Sequence, residues 1–271
     1  MRRKLLHSVG GGVNLFQNAS IALSLRSLGI NPSKNKIEVF RVANNDVDEF
    51  NANQIQNTNN VQSFGGASDL LIRSWYDETD NNNDVNQIDE LKMPKIYDGT
   101  SGNMILENGK PTILFDGVDD VLTANLSYTI AGDYSFYMIA KLNSIFDYSN
   151  IFSYQNLLRI VTAVTFDYKD ISIGSGNTKI NRYKTTDITS FNQFLLEINK
   201  TNTGDYDLLT NNTTQTALSI TLGFATPDNL SIGGRFDNAQ FLDGNIQEVV
   251  ILEQSQDTNV TNNINNFYNI Y

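Results

Sequence analysis

"YSFYMIAKL" (residues 134–142) decides the fold class. Tyr134, Phe136, Met138, Ala140 and Leu142 fall on one side of an extended chain, because successive strand side chains point to opposite faces. The alternation predicts a half-buried strand with a core side. Working outward, further strand-length runs rich in β-branched or aromatic residues appear at 110–117, 120–126, 149–154, 157–168, 170–174, 191–200, 206–212, 228–236 and 244–254, with Gly, Asn or Asp between them.

Upstream of residue 95 the pattern is looser. "NKIEVFRVA" (35–43) and "DLLIRSWYD" (69–77) read as strands. "NASIALSLRSLG" (18–29) fits a short helix ending at Gly29, and its 21–25 alternation also fits a strand. Residues 44–68 are amide-rich and read as loop with a short strand at most. At the C-terminus the period changes. Val260, Ile264, Phe267 and Tyr271 recur at helical spacing, with Ser255 or Asp257 as N-cap, so one closing helix is expected. The expected fold is all-β, an antiparallel jelly-roll sandwich with a short N-terminal extension and a C-terminal helix. Residues 1–15 read as an arm, 16–107 as a segment contributing to or packed on the sandwich, and 108–271 as the sandwich itself.

Hydrophobic residues make up 40% of the 271, enough for a sizeable core, and charged residues only 18%. Asn supplies about one residue in seven. The net charge of -11 repels phosphate backbones, so no nucleic-acid partner is expected. With no cysteine there is no disulfide framework and no thiolate metal site. The one histidine, His7, lies in the arm, which excludes a Ser-His-Asp triad and a multi-histidine metal site. "MRRKLLHSVGGG" has the basic start of a signal peptide but lacks its apolar run. No run approaches 18 apolar residues, so no membrane span is expected.

Two stretches carry a resemblance. "NGKPTILFDGVDDVLTANLSYTIAGDYSFYMIAKL" (108–142) with "LSIGGRFDNAQFLDGNIQEVVILEQ" (230–254) resembles the concanavalin A-like lectin/glucanase superfamily, in its laminin-G-like branch. The matching positions are Phe115-Asp116-Gly117, Asp119-Asp120, Gly244, Ile246, Glu248, Val249 and Ile251. Upstream, Ser24-Leu25-Arg26, Val39, Arg41, Trp75-Tyr76-Asp77, Asn83-Asp84 and Pro94-Lys95-Ile96 are similar to the segment before such sandwiches in phage virion proteins and Bacteroidetes surface proteins, and to the N-terminal part of arabinofuranosidase B catalytic domains. "ETDNN" (78–82) departs from that pattern. The resemblance implies that Trp75-Tyr76-Asp77 ends a strand before a polar turn. Trp75 then reads as a core anchor, and otherwise as a sugar-stacking platform.

Calcium has two candidate loops. Asp80, Asn82 and Asp84 sit at positions 1, 3 and 5 of an oxygen-ligand loop, but Val85 and Leu91 replace the Gly and Glu of an EF-hand. The second is Asp116, Asp119 and Asp120, which a solvated turn also explains. Calcium is the only cofactor these residues suggest. Glycoside hydrolysis needs two carboxylates facing one sugar. No E-x-D-x-x-E run exists, and Glu197 and Glu248 are isolated on their strands. "SIGSGN" (172–177) and "SIGGRF" (231–236) lack a P-loop Gly-Lys-Ser/Thr and read as β-turns. Loop-end aromatic and polar residues nominate Tyr148, Tyr154, Arg235, Phe236 and Asp237 for carbohydrate contact. The function expected from sequence is a non-catalytic phage virion structural protein in the capsid, tail or fibre. It would contact other virion proteins and further copies of itself, and host glycans through those residues. A surface lectin and a glycoside hydrolase are the alternatives.

Overall fold

The computed structural model describes residues 14–125, 133–144, 149–154, 158–165, 168–175, 179–184, 193–200, 206–220, 229–235 and 240–271. The architecture is all-β and antiparallel, closed by one C-terminal helix. The strand Tyr134–Leu142 lies in the middle of the first layer, where it pairs with Asp243–Leu252 on one side and Phe194–Lys200 on the other. Asp243–Leu252 is the longest strand described and has two further partners on its far edge. Ile113–Asp116 pairs along Asp243–Ile246, and Ala19–Ser24 pairs along Glu248–Leu252. From Ile113–Asp116 the layer continues through Lys95–Asp98, Leu70–Trp75 and Asn35–Arg41 to the edge strand Asp46–Asn51. Within residues 18–29, Ala19–Ser24 thus form a strand, because the alternating Ile21 and Leu23 have a sheet to join.

The second layer runs from Leu122–Asn125 through Asn229–Ile232, Asn150–Tyr154, Leu158–Thr165, Tyr168–Ser175 and Lys179–Lys184 to Thr216–Ile220. A two-residue strand, Val85–Asn86, bonds to both Leu70–Trp75 and Leu122–Asn125 and joins the layers. Between them lies the main core. Tyr134, Phe136, Met138, Ala140 and Leu142 all point into it, and the Phe136 ring meets Phe152 of the opposite layer at 4.8 Å between centroids.

The other face of Tyr134–Leu142 is buried as well, which the alternation did not lead us to expect. Tyr137 and Ile139 contact a second core made with Leu195, Val250 and the closing helix, here α3 (Thr258–Tyr268). Asp257 caps α3 by accepting the Asn259 amide, and Asn269 ends it in the left-handed conformation. Its buried stripe is Val260, Ile264 and Tyr268, while Tyr271, placed on that stripe by spacing, lies beyond the helix and is half exposed. Each buried apolar side chain contributes roughly 1.5–3 kcal/mol.

Two short helices, α1 (Ala52–Gln56) and α2 (Asn59–Gly65), occupy the stretch read as loop. Their local signal is a reciprocal cap. The Asn51 side chain accepts the Gln54 amide and the Gln54 side chain accepts the Asn51 amide. Gly65 has to be glycine, since a Cβ there would stand 2.4 Å from the Tyr97 ring. Among the described residues no helix is long and apolar enough to cross a membrane.

Candidate functional site

The acidic loop after Trp75 is tied to the core at almost every side chain. Trp75 is fully buried in the main core, so it anchors the sheet and stacks on no ligand. Asp77 is also fully buried. One of its oxygens accepts the amides of Ala22 and Thr79, and the other accepts the Thr79 hydroxyl and the Asn83 amide. Glu78 accepts the amides of Leu28, Ile30 and Asn31 and pairs with Lys36 Nζ at 2.8 Å. Burial pulls the Lys36 ammonium below the ordinary lysine range, and Glu78 opposes that shift.

Of the calcium trio proposed in this loop, Asn82 Oδ1 accepts Lys34 Nζ at 3.0 Å, and Asp84 Oδ1 lies 3.6 Å from the same ammonium. Lys34 also donates to the Asp77 carbonyl. Asp84 further accepts the Asp77 amide, and Asp80 stands exposed. A lysine ammonium therefore sits where those oxygens would hold a cation.

The turn after Ile113–Asp116 is different. Asp116 Oδ1 accepts the amides of Val118 and Asp119, and Asp120 accepts the Asp116 amide at 2.9 Å. Gly117 makes the turn at φ +78, where a Cβ would meet Asp243 Cβ at 2.8 Å. Asp116 also pairs across the strands with Asp243. The carboxylates of Asp116, Asp119 and Asp120 each bring one oxygen within 4.8 Å of the others. Burial, followed by the charge of Asp116, pushes the Asp120 carboxyl up to about 7. Among the described residues this is the one group of three acidic, histidine or cysteine side chains arranged to hold a metal ion.

Of the proposed sugar contacts, two, Tyr154 and Arg235, fall among the described residues. Tyr148, Phe236 and Asp237 lie outside the described residues. Tyr154 pairs with Leu230 at one end of its strand pair. Arg235 is half-buried at the other end, past Gly233, whose amide reaches the Ile151 carbonyl.

From sequence, Glu197 had no role and Glu248 only a place in the laminin-G-like pattern. Both lie on the face covered by α3, on the two strands flanking Tyr134–Leu142. Glu248 takes Arg26 in a two-pronged ion pair at 2.8 and 3.0 Å, and also accepts from Ser24 and Tyr268. The Arg26 guanidinium lies 4.7 Å from the Phe267 ring centroid. Ser24 and Arg26 of the upstream signature and Glu248 of the downstream one are thus one structural clasp. Glu197 accepts from Thr261 at 2.6 Å and Gln256 at 3.0 Å, and burial raises its carboxyl above the usual range. Neither glutamate can reach a sugar beneath the helix.

No protein-family model and no curated protein matches the chain. Solved structures do match it. A GH54 α-L-arabinofuranosidase soaked with a cyclic sulfate inhibitor shares 12% identity, covers 92% of this chain and superposes with a TM-score of 0.63. An arabinofuranosidase complexed with arabinofuranosyl-α-1,2-xylobiose gives 14%, 92% and 0.63. A mutant GH54 enzyme soaked with 4-nitrophenyl α-L-arabinofuranoside gives 14%, 92% and 0.65. This chain spans 62% of the length of each. The likeness establishes a shared fold. It also corrects two expectations. The arabinofuranosidase resemblance extends far past residue 107, and the reading of a chain with no enzymatic activity loses its basis, because the fold matched along 92% of the chain is that of glycoside hydrolases.

Proposed function

We propose that this chain is a carbohydrate-active protein that binds neutral polysaccharide. The supporting observation is the common fold with arabinofuranosidases along 92% of its length. Purified protein incubated with insoluble arabinoxylan, cellulose and chitin, then sedimented, tests it. Depletion from the supernatant by at least one of these is expected. Full recovery in the supernatant with all three, and with soluble glycans on an array, would sink the reading.

A second reading, hydrolysis, draws on the turn at Asp116–Asp120. A glycosidase needs one carboxyl kept protonated near neutrality and one ionised close by. Asp120, pushed up to about 7, has the first property, and Asp116 and Asp119 are the neighbouring carboxylates. Their spacing within 4.8 Å approaches the roughly 5 Å separation of retaining enzymes. Release of reducing sugar from arabinan by the wild type, lost in Asp120→Asn, is the expected result. Release undiminished in that variant would remove Asp120 from the chemistry. A virion setting, with other virion proteins and further copies of this chain as partners, is supported by the resemblance of residues 16–107, and particle proteomics tests it.

A further inference from the structure

Ile88 is 84% exposed, the most exposed of the large hydrophobic residues described. It stands between two cavities and lines both. One, of about 390 Å³, is walled by Asn86, Thr123 and Asn125 beside Asp84. The other, of about 500 Å³, is floored by Phe40 and Val47 of the outer sheet face. Sharing Ile88, they make one groove that mixes polar and apolar groups along its length, with Asn45 and Arg73 beside Phe40, Val47 and Met93 in the second cavity. Its wall continues into the carboxylate turn, since Gln87 donates to the carbonyl of Val121, next to Asp120.

The charges along this groove are paired among themselves. Asp84 faces Lys34 at 3.6 Å, Arg73 faces Glu38 at 3.3 Å, and Asp89 faces Lys92 at 3.6 Å. Glu90, in no ion pair among the described residues, repels an anionic ligand. What the groove offers is amide and hydroxyl groups at one end and, at the other, apolar carbon from Phe40, Val47 and Met93 interleaved with polar and charged side chains. That combination suits a sugar chain, which presents hydroxyls beside apolar CH faces, and suits neither a phosphate nor a uronate. We propose that the groove across Ile88 binds a linear, neutral oligosaccharide of several units. The inference rests on the carbohydrate reading above and adds a location and the linear form of the ligand.

Calorimetric titration with xylohexaose and cellohexaose, and with hexagalacturonate as the anionic probe, tests it on the full chain. Ile88→Asp and Asn86→Ala replace exposed residues outside both cores, so unfolding temperatures close to wild type are expected. Binding of at least one neutral hexasaccharide should weaken ten-fold or more in Ile88→Asp and several-fold in Asn86→Ala, and hexagalacturonate should bind at least ten-fold more weakly than the better neutral ligand. Undiminished neutral binding in both variants would overturn the groove and leave the carbohydrate reading standing. No glycan binding by the wild type would overturn both. Sedimentation completes the test. Self-association lost in Ile88→Asp without any change in glycan binding would assign the groove to a second copy of the chain and overturn the proposal.

Discussion

Two acid-rich turns follow two strands of the same layer, and they are built in opposite ways. In residues 77–84 the buried carboxylates face donors: Asp77 takes three amides and a hydroxyl, Glu78 takes three amides and the Lys36 ammonium. In residues 116–120 the carboxylates face one another, with only backbone amides between them. Both turns were calcium candidates in the sequence. The difference lies in cations supplied from elsewhere, Lys34 and Lys36, which reach the first turn and not the second. A count of acidic residues says little about a site until their partners are known.

The sharpest way to break this comparison is Glu78→Ala. It would leave the Lys36 ammonium buried without its counter-charge and three backbone amides without an acceptor. Removing one member of a buried pair costs roughly 3–5 kcal/mol. Urea denaturation should show a loss of that size. A loss below about 1 kcal/mol would mean that the loop is not anchored as described. Asp77→Asn is the next step down. The amide nitrogen must face a donor that the carboxylate now accepts, at a cost of about 2 kcal/mol by the same measurement.

These anchors show what the sequence could reveal. The sheet was legible because alternation in runs such as 134–142 reports directly which side chains share a face. The closing helix was legible from its change of period and from Asp257. The second core was not, because only the helix packing turns Tyr137 and Ile139 inward, and that contact spans more than a hundred residues of chain. The helices at 52–65 were missed although the Asn51–Gln54 cap was written locally, since the amide-rich composition outweighed it. The clasp was half visible. Ser24, Arg26 and Glu248 stood out within two separate signatures, and nothing in either announced that they bind each other. The reach of Lys34 to this loop was invisible because it lies 48 residues from Asn82.

The opposite construction predicts opposite responses to pH and to cations. Asp120 has a folded-state value near 7, above that of the unfolded chain near 4. Stability drawn from the protonated form is therefore complete below about pH 4 and is lost as the pH rises through 7, by up to a few kcal/mol. Asp120→Asn should flatten that slope and be more stable than wild type at pH 8, as read by melting curves at pH 4.5 and 8. A parallel slope in the variant would reject the assignment. A calcium ion held by the same three carboxylates would neutralise them, so the expected outcome at pH 7.5 is that calcium raises the wild-type Tm and leaves Asp120→Asn much less affected. Asp84→Ala should respond to calcium as the wild type does.

The smallest effect is the most specific. Asp80 is exposed, and its side chain enters none of the hydrogen bonds or ion pairs that hold the loop. If the loop were a cation site, Asp80 would be its first ligand, and its removal would abolish the response to calcium. If Lys34 fills that position, Asp80→Ala should change stability by no more than about 0.5 kcal/mol and leave the calcium response intact. Lys34→Met separates the cases further. It removes the ammonium from Asn82 and Asp84 and should cost about 1 kcal/mol, the ordinary value of a partly exposed pair. A new calcium response in Lys34→Met that Asp80→Ala then cancels would show that the two turns differ by a single side chain. Without such a response, the geometry of the loop, and not the lysine alone, sets the two turns apart.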